Sequence, residues 1–144
     1  MRKRSWHILV VLLNLIWLSG CATMGDVAVS KDKGTKAVYP VTADQAWDIA
    51  KAVFRWEGVD AIEEHRSEGY MLTSSGMNMI SYGAVMGAWI DPVDSGHTQV
   101  TVVTKRRLST NLATTLTETT FHKRFAQAVE IVRAGTPLPV KAPE

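Results

Sequence analysis

The sequence predicts an α+β domain in which a helix, a four-stranded antiparallel sheet and a second helix pack as two layers. Apolar residues recur at helical spacing after Thr42 and again after Thr117, segments rich in β-branched and aromatic residues fill the interval, and turn residues separate those segments. Of 144 residues, 46% are apolar and 21% charged, a balance that fits a globular chain and argues against a wholly disordered, collagen-like or disulfide-rich one.

Residues 1–20 stand apart from that domain. Met1-Arg2-Lys3-Arg4 is basic, Ile8 to Leu18 is apolar, and Ser19-Gly20 places small residues before Cys21, the pattern of a secretory signal peptide. The apolar run falls well short of the roughly 20 residues that a bilayer-crossing helix needs. Removing the 20-residue leader from the 144 leaves a mature chain of 124 residues, a length that suits one domain. Three of the 16 basic residues (Arg2, Lys3, Arg4) lie in the leader and all 14 acidic residues follow it. The mature chain thus sets 13 basic residues against 14 acidic ones, for a formal charge of −1. Nucleic acid is therefore a poor partner for it.

Residues 21–41 read as an N terminus and flexible tether. Ala22 to Tyr39 contains Gly25, Ser30, Asp32, Gly34 and three lysines with little large apolar content, and Val27-Ala28-Val29 is too short to anchor much. As a free coil this segment would span roughly 20–25 Å. The folded domain is expected over 42–135. Thr42 with Gln45 three residues on forms a capping-box pattern, after which Ala46, Trp47, Ala50, Val53 and Phe54 mark one helical face and Gly58 supplies a stop.

Strands are expected at 60–66 and 70–75, joined by Ser67-Glu68-Gly69, and at 84–90 and 98–107, joined by the turn-forming Asp91 to His97. Register within these strands decides whether Tyr70, Met71 and Trp89 face the helices or the other side, and the pattern alone leaves that open. The second helix is expected from near Thr117 to Ala134, with Phe121, Phe125, Ala128, Val129 and Val132 on one face and Gly135 and Pro137 at its end. Three prolines in 136–144 predict a disordered tail.

Candidate sites are few. Gly76 to Gly87 is the least ordinary stretch, and Met77, Met79, Tyr82 and Met86 could form an adaptable apolar contact surface. A bulged strand or flexible connecting loop is the favoured reading of its glycines. Lys105-Arg106-Arg107 could bind an anionic group, although strand alternation divides the three charges between faces. The mature histidines, His65, His97 and His122, lack metal-ligand spacing, and Glu63-Glu64 points to opposite faces of a strand. No catalytic residue, metal site or cofactor is predicted, and an interaction or scaffold module is the expected role. The alternative is a binding domain for a small lipid or glycan.

The junction Leu18-Ser19-Gly20-Cys21 resembles the bacterial lipobox recognised by the lipoprotein signal peptidase. That resemblance implies a thioether-linked diacylglycerol and an N-acyl chain on Cys21, and so membrane lipid as a partner. A lone cysteine in an oxidising compartment suits that use, because its sulfur is consumed. Ala22 rather than aspartate after the cysteine implies the periplasmic face of the outer membrane of a two-membrane bacterium, rather than the inner membrane. Residues 41–47, 83–90 and 98–106 resemble small proteobacterial lipoproteins. A looser similarity is to the helix-and-sheet domains of BamC, from which no functional residue carries over. An envelope protein partner follows as an expectation.

Overall fold

The structure is a computed structural model and describes residues 23–59, 61–74, 83–106 and 117–144. Five antiparallel strands form one sheet: β1 (Thr35–Tyr39), β2 (Ala61–His65), β3 (Tyr70–Ser74), β4 (Ala84–Pro92) and β5 (Thr98–Arg106), in the spatial order β1-β5-β4-β3-β2. Among the described residues three α-helices accompany them: α1 (Met24–Ala28), α2 (Ala43–Trp56) and α3 (Glu118–Arg133). The α+β class holds, but the sheet has five strands rather than four, a short helix and the strand β1 precede α2, and α1 adds cover on the second face of the expected two-layer arrangement.

Both long helices start where the sequence puts them. Gln45 N–H donates to Thr42 Oγ1 at 3.3 Å and Thr42 N–H donates to Gln45 Oε1 at 3.0 Å, which closes the capping box of α2. Thr117 caps α3 by accepting from Thr120 N–H at 3.2 Å. Beyond α2 and α3, Gly58 and Gly135 turn the chain with φ of 73° and 72°, in the left-handed region that glycine enters without a Cβ clash. Trp47, Phe54, Phe121, Phe125 and Val129 point inward as their spacing requires, and Phe54 and Phe121 meet at 5.0 Å between ring centroids.

The register assigns the sheet's two faces. Met71 opposes Ala88, which opposes Val102, and this row lies beneath α2 and α3 with Met86, Ile90 and Val100. Tyr70 opposes Trp89, which opposes Thr101, and these project to the other side with Leu72, Val85 and Val103. That second face is covered as well, because Val27 of α1 is fully buried against Leu72, Val85, Trp89 and Val103. Burying one valine is worth about 1.5–3 kcal/mol, enough to hold a five-residue helix that has little stability of its own.

Two expectations therefore change. The polar spacer over 21–41 contains α1, a 3-10 turn at Lys31–Lys33 and the edge strand β1. Val27 is an anchor after all, because a sheet apolar on both faces leaves a ready site for it. The disordered tail over 136–144 instead lies against the helices: Trp56 Nε1 donates to the Pro139 carbonyl at 2.9 Å and Arg124 Nη1 to the Pro143 carbonyl at 2.5 Å. These contacts give a proline-rich segment a fixed path that composition does not reveal.

Gly87 makes the close approach of α1 possible. A Cβ there would stand 2.8 Å from Val27 Cγ1 and 2.8 Å from Trp89 Cη2, well inside van der Waals contact. Gly87→Ala is expected to destabilise the fold by about 1–3 kcal/mol through overpacking, measured by urea unfolding. In a Val27→Ala background the same change should cost less, since the two positions share one contact; equal costs in both backgrounds would contradict this packing.

Candidate functional site

The surface around α1 merits functional attention because its cap, Thr23, lies two residues after Cys21. Thr23 and Asp26 form a reciprocal cap: Thr23 N–H and its hydroxyl donate to Asp26 Oδ2 at 2.8 and 2.7 Å, and Asp26 N–H donates to Thr23 Oγ1 at 3.3 Å. Those donations, led by the backbone one, hold the Asp26 carboxyl below the usual carboxylate range. At the far end Ser30 Oγ donates to the Asp26 carbonyl at 2.6 Å, and Lys105 Nζ reaches the same oxygen at 2.7 Å from β5. Lys31 pairs with Asp91 of β4 at 2.8 Å. Side chains of the sheet thus hold the later part of α1 and the turn that follows it.

Beside α1 runs an aromatic row across three strands. His65 stacks on Tyr70 with centroids 4.5 Å apart and planes 15° from parallel, and Tyr70 lies 6.0 Å from Trp89. His65 Nε2 contacts Glu63 Oε1 at 2.7 Å. Glu64, on the helix side, instead accepts from Trp47 Nε1 at 2.7 Å and pairs with Lys51 at 2.6 Å. The two glutamates diverge as expected for adjacent strand residues.

A second network holds β1 to α3. Glu118 Oε2 accepts from Thr35 N–H at 3.0 Å and from the Thr35 hydroxyl, while Glu118 Oε1 accepts from Thr104 N–H at 3.0 Å. Tyr39 Oη lies 2.8 Å from His122 Nδ1, and His122 Nε2 lies 3.1 Å from the Thr35 carbonyl. A carbonyl only accepts, so Nε2 carries the proton and Nδ1 accepts from the tyrosine hydroxyl. Burial pushes the Tyr39 hydroxyl up to about 12, and burial also lowers His122 despite the opposing effects of the Thr35 carbonyl and Glu118. Both imidazole nitrogens are engaged in bonds within the fold, so His122 latches β1 to α3.

Of the residues singled out from sequence, Leu18, Ser19, Gly20, Cys21, Met77, Met79, Tyr82 and Arg107 lie outside the described residues. Met86 is no part of a contact surface: it is fully buried beneath α2 and α3, because alternation along β4 turns it to the helix side. Lys105 and Arg106 diverge to opposite faces; Lys105 is engaged with α1, while Arg106 is exposed. The Glu118–Thr35 and His122–Tyr39 links escape a sequence reading because their partners are separated by 83 residues. The α1 cap did have a signal, a threonine followed three residues later by an aspartate.

Among the described residues, two open recesses mark the surface. One, of ≈ 370 Å³, lies between the start of α2 and the β2–β3 turn, where Arg66 sits over the Trp47 ring at 5.1 Å. The other, of ≈ 380 Å³, is walled by Lys51, Arg55 and Trp56 on α2 and by Leu138, Pro139 and Val140 of the tail. Among the described residues, no group of three or more histidine, cysteine, aspartate or glutamate side chains could hold a metal ion. Among the same residues, no helix is long and apolar enough to cross a membrane.

No protein-family model matches the chain, and no curated protein is significantly similar. One solved structure, "Crystal structure of Ara h 8.0201", is similar at 11% identity and a TM-score of 0.37, with 71% of this chain and 96% of that chain covered. A likeness at that level carries no argument here.

The His122 latch makes stability pH-dependent in a defined direction. Its pKa in the fold lies below the unfolded value near 6.5, so in that interval the unfolded chain binds more protons. Stability is full above about pH 6.5 and falls as pH drops through the lowered value. Denaturant midpoints taken between about pH 7 and about pH 5.5 should decline in the native protein and decline less in His122→Gln. Parallel declines would show that His122 does not carry the effect.

Proposed function

We propose that this chain is a lipid-anchored lipoprotein of the cell envelope. In this reading it is held through diacylglycerol and an N-acyl chain on Cys21 at the periplasmic face of the outer membrane. There it acts as a noncatalytic interaction or scaffold module for an envelope protein. The observation that carries the reading is the sequence pattern that ends at Cys21, two residues ahead of the Thr23 cap of α1. Residues 1–20 are basic and then apolar, Cys21 follows them, and Thr23 caps α1 two residues further on.

Further support comes from what the polar groups do. The Tyr39–His122 pair, Glu64 and Asp26 are each bonded to partners that join secondary-structure elements or cap them. Two acyl chains give durable attachment where one gives only reversible binding, since each buried methylene contributes about 0.8 kcal/mol. Such an anchor makes a second membrane-spanning element unnecessary.

Mass spectrometry of the membrane-extracted protein tests this directly. The N-terminal peptide should begin at Cys21 and carry the mass of diacylglycerol plus one fatty acyl group. Cys21→Ser should keep its leader or leave the membrane fraction. A native N terminus bearing a free thiol, or unchanged processing and fractionation of the serine variant, would remove the basis of the proposal.

A further inference from the structure

We infer that the free edge of β1 is a self-association site, and that its occupant is β1 of a second copy of this chain, paired antiparallel about a two-fold axis at Ala37. The inference is independent of what is attached at Cys21.

The alternation of backbone groups along the strands exposes this edge. In a strand the N–H and C=O of one residue point to one neighbour, and those of the next residue point the opposite way. Thr35 N–H and Thr104 N–H both donate to Glu118 at 3.0 Å, so both face the gap at the end of the β1–β5 ladder. Ile90 N–H donates to the Gly69 carbonyl at 2.8 Å, which turns Ile90 toward β3 and its opposite residue, Val100, toward β1. Both observations turn Thr35, Ala37 and Tyr39 toward β5 and leave the backbone groups of Lys36 and Val38 pointing away from the sheet. Glu118 and His122 bond Thr35 and do not reach these groups, which have no hydrogen bond among the described residues. Such a row is a template for another strand.

A second β1 fits the row because the strand is self-complementary. With the axis at Ala37, Lys36 of each copy exchanges its backbone bonds with Val38 of the other, and every outward group is used. Val38, 54% exposed, then lies beside the aliphatic stem of the other copy's lysine, and both sit on the α1 side. On the helix side the small, partly buried Ala37 faces its own copy. No two lysines stand directly opposite, so the pairing carries no cross-strand repulsion. The other edge lacks this fit. The same alternation turns Ile62 and Glu64 of β2 outward, and self-pairing there centres on Glu63, carboxylate against carboxylate. Pairing at β1 therefore closes as a symmetric dimer with one continuous sheet.

The test uses the full chain in mild detergent. Directly opposed residues without mutual hydrogen bonds have Cα atoms about 4.5 Å apart, a separation that a disulfide spans. Ala37→Cys should thus form a disulfide-linked dimer under mild oxidation, several-fold more than Glu63→Cys or the unaltered chain, which report any contribution of Cys21. Sedimentation equilibrium should show a dimer fraction of the unaltered chain that rises with concentration. Val38→Lys sets a second positive charge against Lys36 of the other copy and should lower that fraction several-fold. Adding Lys36→Glu makes the facing charges opposite and should restore it, with the urea midpoint unchanged in both variants. A chain that stays monomeric at all concentrations, with no disulfide at 37, overturns the inference, and equal disulfide yields at 37 and 63 overturn the choice of edge. A dimer that ignores Val38→Lys, or that Lys36→Glu does not restore, overturns the register; these two variants carry the test if Ala37→Cys fails to fold. A disulfide from Ala37→Cys to a different polypeptide in intact cells, with the purified chain monomeric, overturns the second copy as occupant.

Discussion

The structure depends on a sheet that is apolar on both faces. β4 is buried continuously from Ala84 to Ile90, and its neighbours β3 and β5 bury residues toward each side. Such strands cannot leave either face to water without exposing large apolar area, which is the reason near-continuous apolar runs mark doubly covered sheets. Two amphipathic helices meet the demand on one side. On the other, the cover is Val27 on a helix of five residues, seated over Gly87 where the missing side chain leaves room.

This constraint determines how the N-terminal part of the domain is built. Once Val27 is committed to the sheet, the chain that follows has a short path to β5, and β1 adds there as the edge strand. Ladder bonds are supplemented from α3, where one carboxylate accepts from backbone donors on both β1 and β5 and one imidazole bridges Tyr39 to Thr35. These are bonds between segments distant in sequence, and they fix an edge that would otherwise present unpaired backbone groups. The functional consequence is positional. A segment that composition alone assigns to a loose linker is an integral part of the domain, so whatever is attached just ahead of it sits close to one defined face.

Much of the fold was legible because local chemistry and tertiary packing agree. Thr42 and Gln45, Thr117, Gly58 and Gly135 end the helices as their residue types require, and the β-branched run from Val100 to Thr104 is a strand. The fifth strand was not legible, since Thr35 to Tyr39 is short, alternates only weakly, and owes its place to Glu118 and His122 across 83 residues. Met86 misleads for a different reason: in a glycine-rich stretch it resembles an adaptable surface residue, and only the β4 register turns it inward. Val27 and its neighbours look too short to matter because the face they cover is created by β3, β4 and β5 together.

Amide hydrogen exchange in α1 is the most direct test of this account. If Val27 closes the second face, the amides of Val27 and Ser30, which donate to the Thr23 and Val27 carbonyls at 3.3 and 2.8 Å, exchange more slowly than in an unstructured peptide of the same sequence. Exchange at the unstructured rate would show that the second face lies open, that the preceding segment is a true tether, and that the geometry built on α1 is wrong.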